Sequence, residues 1–195
     1  KEKDIYEMRK KIGFLFQGAA LFDSMDVGEN VGLALKENER LSQKEIDKIV
    51  AEKLEMVGLP GIERMKPSDL SGGMKKRVSL ARAISTNPEY ILYDEPTTGL
   101  DPVMSDQIDD LIKELATKLK VTSIVVTHDI FSVYDVADHV AMMHEGKTYF
   151  FGTPQQLVET QDKVIREFLA RTDKEAHEAV ERELEVEHER QAKGK

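Results

Sequence analysis

Three short apolar runs, separated by segments with helical periodicity, constrain the fold of this chain more than any other feature. They cover residues 12–16, 90–93 and 121–126. Short apolar runs bounded by polar and turn residues are typical of buried strands, and strands that alternate with helices form parallel sheets. The pattern therefore predicts an α/β fold, in which a parallel sheet is flanked by helices.

Capping residues mark the ends of the helices between these runs. Ser42 and Glu45 have the spacing of a capping box, apolar residues then recur at helical spacing, and Gly58 closes the segment. Asp101 followed by Pro102 is typical of an N-cap and a first-turn residue. We therefore expect helices over residues 42–57, 75–84 and 102–119.

The C-terminal part of the chain has a different pattern. Residues 130–137 predict a short helix, and residues 140–143 and 148–151 predict the two strands of a hairpin. Thr153 and Pro154 predict the start of a helix whose apolar side continues to Leu169. From Arg171 onwards Glu, Lys and Arg dominate, which predicts a solvated helix or a segment that docks on a second subunit.

Polar side chains follow each of the three predicted strands: Gln17, the pair Asp94 and Glu95, and His128. Ligands bind at the carboxyl edge of parallel sheets, so we expect these residues to share one site. Asp94 has the chemistry of a Mg²⁺ ligand that acts through water, and Glu95 that of a base that polarises an attacking water. The alternative is that both carboxylates only end the strand and cap the next turn.

The roles of His128 and Gln17 are ambiguous when each residue is considered alone. His128 has the chemistry to hydrogen-bond a terminal phosphate, although a histidine after a strand is more often structural. Gln17 suits contact with a metal or with an attacking water, or it serves as an amide that anchors its loop. The prediction therefore rests on the convergence of all these groups at one edge of the sheet.

A second feature suited to phosphate binding is the turn Ser71-Gly72-Gly73, which opens a predicted helix. The first N–H groups of a helix lack partners within it, and the helix dipole favours an anion there. No Gly-rich loop with Lys and Ser or Thr, the usual phosphate cradle, precedes this turn. Gly13 and Gly18 have a similar spacing, but Ala19 and Ala20 stand where Lys and Ser or Thr are required. The sequence therefore predicts half of a nucleotide site.

Composition narrows the class of protein. With a net charge of −9, the chain of 195 residues lacks the excess of Lys and Arg that nucleic-acid binding needs. No apolar run approaches the ~20 residues that span a bilayer, so we expect no direct membrane insertion. The absence of cysteine excludes disulfides. The charged start argues against a signal peptide, and because it lacks Met we expect that a preceding segment is missing from this sequence.

Five ordered motifs resemble those of ATP-binding cassette (ABC) ATPases. Residues 70–74 are similar to the signature motif, although Met74 stands where Gln is usual. Residues 90–95 resemble the Walker B strand with its catalytic glutamate, and residues 98–101 resemble the D-loop. Gln17 is similar to the Q-loop glutamine and His128 to the switch histidine. The resemblance extends from Ile12 to about Leu169.

The resemblance implies a partial RecA-like P-loop NTPase core with an ABC α-helical subdomain. The core would run to the Q-loop over residues 1–17, and the helical subdomain would cover residues 18–70. The signature helix and the rest of the core would cover residues 71–170, before a charged tail over residues 171–195. The resemblance also implies ATP and Mg²⁺ as cofactors, with catalytic roles for Glu95, His128 and Gln17 and with Asp94 and Gln17 at the metal.

Cassettes of this family pair head-to-tail and act with a membrane-spanning permease subunit. The resemblance then places Ser71, Gly72, Gly73 and Asp101 at a nucleotide held by a second cassette, and a homodimer is the expected pair. It implies an ATPase that associates peripherally with the cytoplasmic face of the inner membrane through the permease. Nucleic acid is not expected among the partners.

Within the family, residues 14–22 and the signature that ends in Met look most like cassettes of Mce/Mla-type lipid transporters. The alternatives are an importer of another solute, a cassette of DNA repair or translation, and a degenerate cassette that regulates a complete partner. The family's P-loop precedes the Q-loop strand, where this sequence has only residues 1–11. We therefore expect a truncated sequence or a degenerate subunit, and weak or absent ATP affinity for this chain alone.

Overall fold

The structure, a computed structural model, describes residues 2–170. The described residues divide into two compact units, with the boundary between His128 and Asp129. The first unit contains α1 (Glu2–Lys10), β1 (Ile12–Leu15), α2 (Val27–Asn38), α3 (Gln43–Met56), a 3₁₀ turn (Pro67–Asp69), α4 (Gly72–Ala83), β2 (Tyr90–Asp94), α5 (Pro102–Leu119) and β3 (Thr122–Val126). The second contains α6 (Ile130–Val136), β4 (Val140–His144), β5 (Lys147–Gly152), α7 (Pro154–Glu159) and helical residues 163–170. Among the described residues, no helix combines the length and the apolar character that crossing a bilayer requires.

The first unit is built on a parallel sheet in the order β1-β2-β3. Leu92 of the central strand lies opposite Phe14 of β1 on one side and opposite Ile124 of β3 on the other. Ile91 and Tyr93 of the same strand are 0% and 1% exposed. The three predicted strands and the predicted fold class are therefore confirmed, and the carboxyl ends of all three strands lie at one edge.

Helices α3 and α5 begin at the predicted capping residues. Ser42 Oγ accepts a hydrogen bond from the backbone N–H of Glu45, whose carboxylate accepts one from the backbone N–H of Ser42. Asp101 caps α5 by accepting a first-turn N–H at 3.0 Å. Helix α4 begins at Gly72, directly after its N-cap Ser71, and so it starts one turn earlier than predicted. The turn that resembles a signature motif and the helix are thus continuous.

Two helices of the first unit, α1 and α2, are absent from the sequence-based prediction. Asp26 and Glu29 form a capping box at the start of α2, which is the signal that could have revealed this helix. Asn30, 0% exposed, fixes the preceding loop: its side chain accepts from the backbone N–H of Phe22 at 2.8 Å and donates to the carbonyls of Phe22 and Asp26. The predicted domain boundaries at residues 17, 70 and 170 stay predictions.

The core of the first unit joins α4 to the sheet and to the helices α2, α3 and α5. Each fully buried aliphatic side chain contributes about 1.5–3 kcal/mol by leaving water. Helix α4 lies so close to β1 that a Cβ on Gly13 would be 2.2 Å from the backbone oxygen of Ala83. Side chains that are 0% exposed include Leu15, Val27, Val31, Leu54, Val78, Leu80, Ile84, Ile91, Ile108, Ile112 and Leu115.

The second unit contains the predicted hairpin, in which β4 and β5 pair antiparallel. Helix α7 is capped by Thr153, as expected, but the prediction of one helix continuing to Leu169 is wrong. Helix α7 ends at Glu159, and Asp162 then accepts the backbone N–H groups of Val164 and Ile165 and starts a new helix. The charged helix predicted from Arg171 onwards lies outside the described residues.

Candidate functional site

The polar edge of the sheet begins where the chain leaves β2. Asp94 is the last residue of the strand, and Glu95 follows it with a left-handed φ of 47°. This conformation is uncommon for a residue with a side chain, and it turns the chain sharply out of the sheet. The backbone N–H of Glu95 donates to the carbonyl of Val126 at 2.8 Å, which ties this turn to the end of β3.

Both oxygens of the Glu95 carboxylate have partners. Oε1 lies 2.8 Å from Nδ1 of His128, and Oε2 accepts the hydroxyl of Thr98 at 2.8 Å. The Glu95 side chain is 19% exposed, whereas that of His128 is 68% exposed. The structure thus brings Glu95 and His128 together, as the sequence predicted, and adds Thr98 as a contact that the sequence analysis missed.

A buried lysine, Lys76, connects this edge to the end of β1. Its Nζ donates to the backbone carbonyls of Gln17 and of Glu95, the latter at 3.0 Å. Lys76 is 5% exposed, and burial lowers the pKa of its ammonium, whereas the nearby carboxylates of Glu95 and Asp94 act in the opposite direction. The sequence analysis missed this residue, although it lies on the buried side of α4, three residues after Gly73.

Gln17 follows β1 and reaches this cluster through its backbone rather than its side chain. The side chain of Gln17 is exposed, and only its carbonyl is held by Lys76. The polar groups predicted to meet at the three strand ends therefore do so through the backbone of Gln17 and through the side chains of Glu95 and His128. A role of the Gln17 amide at a metal or at an attacking water stays a prediction.

The turn Ser71-Gly72-Gly73 forms the N-terminus of α4. Ser71 Oγ accepts the backbone N–H of Met74 at 3.2 Å, so one lone pair of the hydroxyl serves as the helix cap and its hydrogen remains a donor. A Cβ on Gly73 would lie 2.2 Å from Cε of Met104, so the tip of this α5 side chain lies against the turn.

The carboxylates of the site suit a metal only with additional ligands. Among residues 2–170, no group of three or more histidines and carboxylates could hold a metal ion by itself. Mg²⁺ is usually held by one or two carboxylates together with waters and substrate phosphates. Asp94 is half-buried at the end of β2 and fits such a shared site.

Comparison with known proteins identifies the family. The family model for ABC transporters matches residues 1–98. The intermembrane phospholipid transport system ATP-binding protein MlaF of Haemophilus influenzae is 43% identical over 167 residues, which are 86% of this chain and 63% of MlaF. The protein mkl of Mycobacterium leprae, named a probable ribonucleotide transport ATP-binding protein, is 40% identical over 86% of this chain and 48% of mkl. The chain thus spans about half to two thirds of the length of these relatives.

Solved structures agree with this family and with the predicted fold class. A dimeric post-hydrolysis state of the ATP-binding cassette MJ0796, bound to ADP and Pi, is 34% identical with a TM-score of 0.70, covering 79% of this chain and 68% of that chain. The protein cbiO1 from Clostridium perfringens, part of the ABC transporter complex cbiONQ, is 34% identical with a TM-score of 0.74, covering 91% and 70%. This chain therefore belongs to the family of ABC transporter ATP-binding cassettes.

Proposed function

We propose that the protein is the ATP-hydrolysing subunit of an ABC transporter that moves phospholipid or another hydrophobic compound across the inner membrane. The observation that carries this proposal is the Glu95 carboxylate, held between Thr98 and His128 directly after the strand that ends in Asp94. A carboxylate that is hydrogen-bonded through both oxygens and only 19% exposed is held in place, which suits a general base. The phospholipid-transport relatives support the choice of cargo.

In this proposal each residue of the site has a separate role in hydrolysis. Glu95 polarises the attacking water, and His128 contacts the terminal phosphate while its Nδ1 faces Glu95. Asp94, with Gln17, is the protein's contribution to a Mg²⁺ site. The ion, when bound, neutralises the charge that develops on the transferred phosphoryl group.

We assign the turn Ser71-Gly72-Gly73 and Asp101 to a nucleotide held by a second cassette. In support, the N–H groups of this turn open a helix of 12 residues, and the N-terminus of a helix favours an anion. A second copy of this chain is the proposed partner, and a membrane-spanning permease subunit is the other. The protein would then lie on the cytoplasmic face of the inner membrane, held there by the permease.

The ATPase proposal is tested in the full-length protein with its permease. We expect Glu95→Gln to lower kcat for ATP hydrolysis by about 100-fold or more while ATP binding persists, because only the base is lost. Glu89→Gln is the matched control, since Glu89 lies just before the same strand at its other end, paired with Lys11 at 2.8 Å. An unchanged kcat in Glu95→Gln contradicts the proposed role.

The cargo is a separate question, because the mkl relative is nearly as similar as MlaF. The test uses the purified complex reconstituted in vesicles of phosphatidylethanolamine and phosphatidylglycerol. We expect ATP-dependent movement of a fluorescent phospholipid, lost in Glu95→Gln. ATP-dependent uptake of a radiolabelled ribonucleotide, without phospholipid movement, favours the second candidate instead.

A further inference from the structure

The loop over residues 17–20, directly after β1, has an unusual backbone. Ala19 and Ala20 are consecutive residues with left-handed φ values of 62° and 48°. Residues with a Cβ rarely adopt this conformation, and it persists only where the surrounding structure holds it. Ala19 is nevertheless 3% exposed, so this residue of the loop is packed into the protein in that conformation, whereas Gln17, Gly18 and Ala20 are exposed.

Three polar side chains on one side of α4 hold this loop through its carbonyl groups. Lys76 donates to the carbonyl of Gln17, and Ser79 Oγ donates to that of Ala19 at 2.9 Å. Arg82 donates to the carbonyls of Ala19 and Ala20, each at 2.7 Å. Lys76, Ser79 and Arg82 are spaced three residues apart, so they follow one another along one face of the helix.

The same lysine reaches the candidate general base. Lys76 Nζ also donates to the carbonyl of Glu95 at 3.0 Å, so one buried ammonium joins the start of the loop to the turn after β2. Hydrogen bonds from a charged donor are roughly twice as strong as neutral ones, and burial strengthens them further. Lys76 therefore links the backbone of the loop to the backbone of Glu95.

We propose that Lys76, Ser79 and Arg82 form a carbonyl clamp that fixes the 17–20 loop and Glu95 in the arrangement that hydrolysis requires, with Lys76 as the positioning residue between them. This inference rests on the proposed ATPase function. Helix α4 starts at the Ser71-Gly72-Gly73 turn, so the clamp also joins that turn to the loop through one rigid element.

The test compares Lys76→Met with Lys53→Met in the full-length protein with its permease. Lys53 is the matched control because it is 7% exposed, its pKa is also lowered by burial, and its Nζ donates to Asn87 at 2.6 Å instead. We expect Lys76→Met to lower kcat for ATP hydrolysis by about 10- to 100-fold, because a small misplacement of Glu95 has an effect of this size. The KM for ATP should stay within about threefold of the wild type, and Lys76→Arg should recover part of kcat.

A second readout does not depend on activity. The backbone N–H of Ala19 donates to Phe16 at 2.9 Å, so its hydrogen exchange reports on the closed loop. We expect amide exchange in the 17–20 loop to become about tenfold faster in Lys76→Met but not in Lys53→Met. Ser79→Ala, which removes a single hydroxyl and keeps a good helix former, should also accelerate this exchange, and it carries the test if Lys76→Met does not fold.

The outcomes separate the clamp from the ATPase proposal. A wild-type complex that does not hydrolyse ATP contradicts the proposed function, whatever the loop does. If the wild type is active and Glu95→Gln is not, a normal kcat in folded Lys76→Met overturns the positioning role. Unchanged loop exchange in both Lys76→Met and Ser79→Ala overturns the clamp itself.

Discussion

Gly13→Ala tests how closely α4 packs on β1. The added Cβ would lie 2.2 Å from the backbone oxygen of Ala83 and 3.0 Å from its carbonyl carbon. Carbon atoms pack best at about 3.5–4.0 Å, so the strand and the helix must separate by roughly 1 Å or more. The clashing atoms are backbone atoms, which cannot rotate away as a side chain could.

The expected cost follows from this clash. Overpacking a core typically costs about 1–3 kcal/mol, and a backbone clash belongs at the upper end of that range. Replacing Gly by Ala within a strand returns about 0.5–1 kcal/mol through the entropy of the unfolded chain. The net loss in free energy of unfolding is therefore about 2 kcal/mol, which lowers the Tm of a chain of this size by about 4–8 °C.

The assay is thermal and urea unfolding of the chain, followed by circular dichroism. Gly18→Ala is the control, because among the described residues no heavy atom outside Gly18 and its two chain neighbours lies within 4 Å of the added Cβ. We expect Gly18→Ala to change the free energy of unfolding by no more than about 0.5 kcal/mol. A Tm for Gly13→Ala within about 2 °C of the wild type, with an unchanged urea m-value, refutes the claim that the α4–β1 contact is tight.

Two further predictions concern capping and buried charge. Ser42→Ala should remove the cap of α3 and lower the free energy of unfolding by about 1 kcal/mol. The control Gln43→Ala leaves the cap in place and should not lower the free energy of unfolding in this way. Equal urea midpoints for the two variants contradict the prediction. The buried ammonium of Lys53 has a pKa lowered from 10.5 by desolvation, so just below pH 10.5 the unfolded chain binds more protons than the folded chain. The free energy of unfolding of the wild type, relative to that of Lys53→Met, should therefore rise as the pH increases towards 10.5. If urea unfolding shows that this difference does not change with pH just below 10.5, the prediction is refuted.

The strands and the capped helices could be predicted because their signals are local. The apolar run that ends in Asp94 forms a strand as its composition predicts, and Ser42 with Glu45 or Asp101 caps a helix within one turn of its own position. The same argument covers α2, because its capping box of Asp26 and Glu29 is also a local signal.

The break after α7 was missed because two local signals competed. Apolar residues continue at helical spacing to Leu169, which favours one long helix. Asp162, however, accepts hydrogen bonds from the backbone N–H groups of Val164 and Ile165. These bonds, together with the hydrogen bond from the Tyr149 hydroxyl, lower the pKa of the Asp162 carboxyl. A carboxylate held in this way starts a new helix. The cap at Asp162 therefore interrupts the single helix that the spacing of apolar residues predicts.

The sequence by itself determined the family, the parallel α/β sheet and the edge where Asp94, Glu95 and His128 meet, because the order of the motifs and the direction of the strands are properties of the chain. Only the tertiary structure decided that Glu95 is held by Thr98 and that Lys76 joins two strand ends. Lys76 lies far in sequence from Gln17, and no local spacing reveals which carbonyls a buried ammonium will find. Such contacts arise because a buried charge must be paired once the helix packs on the sheet.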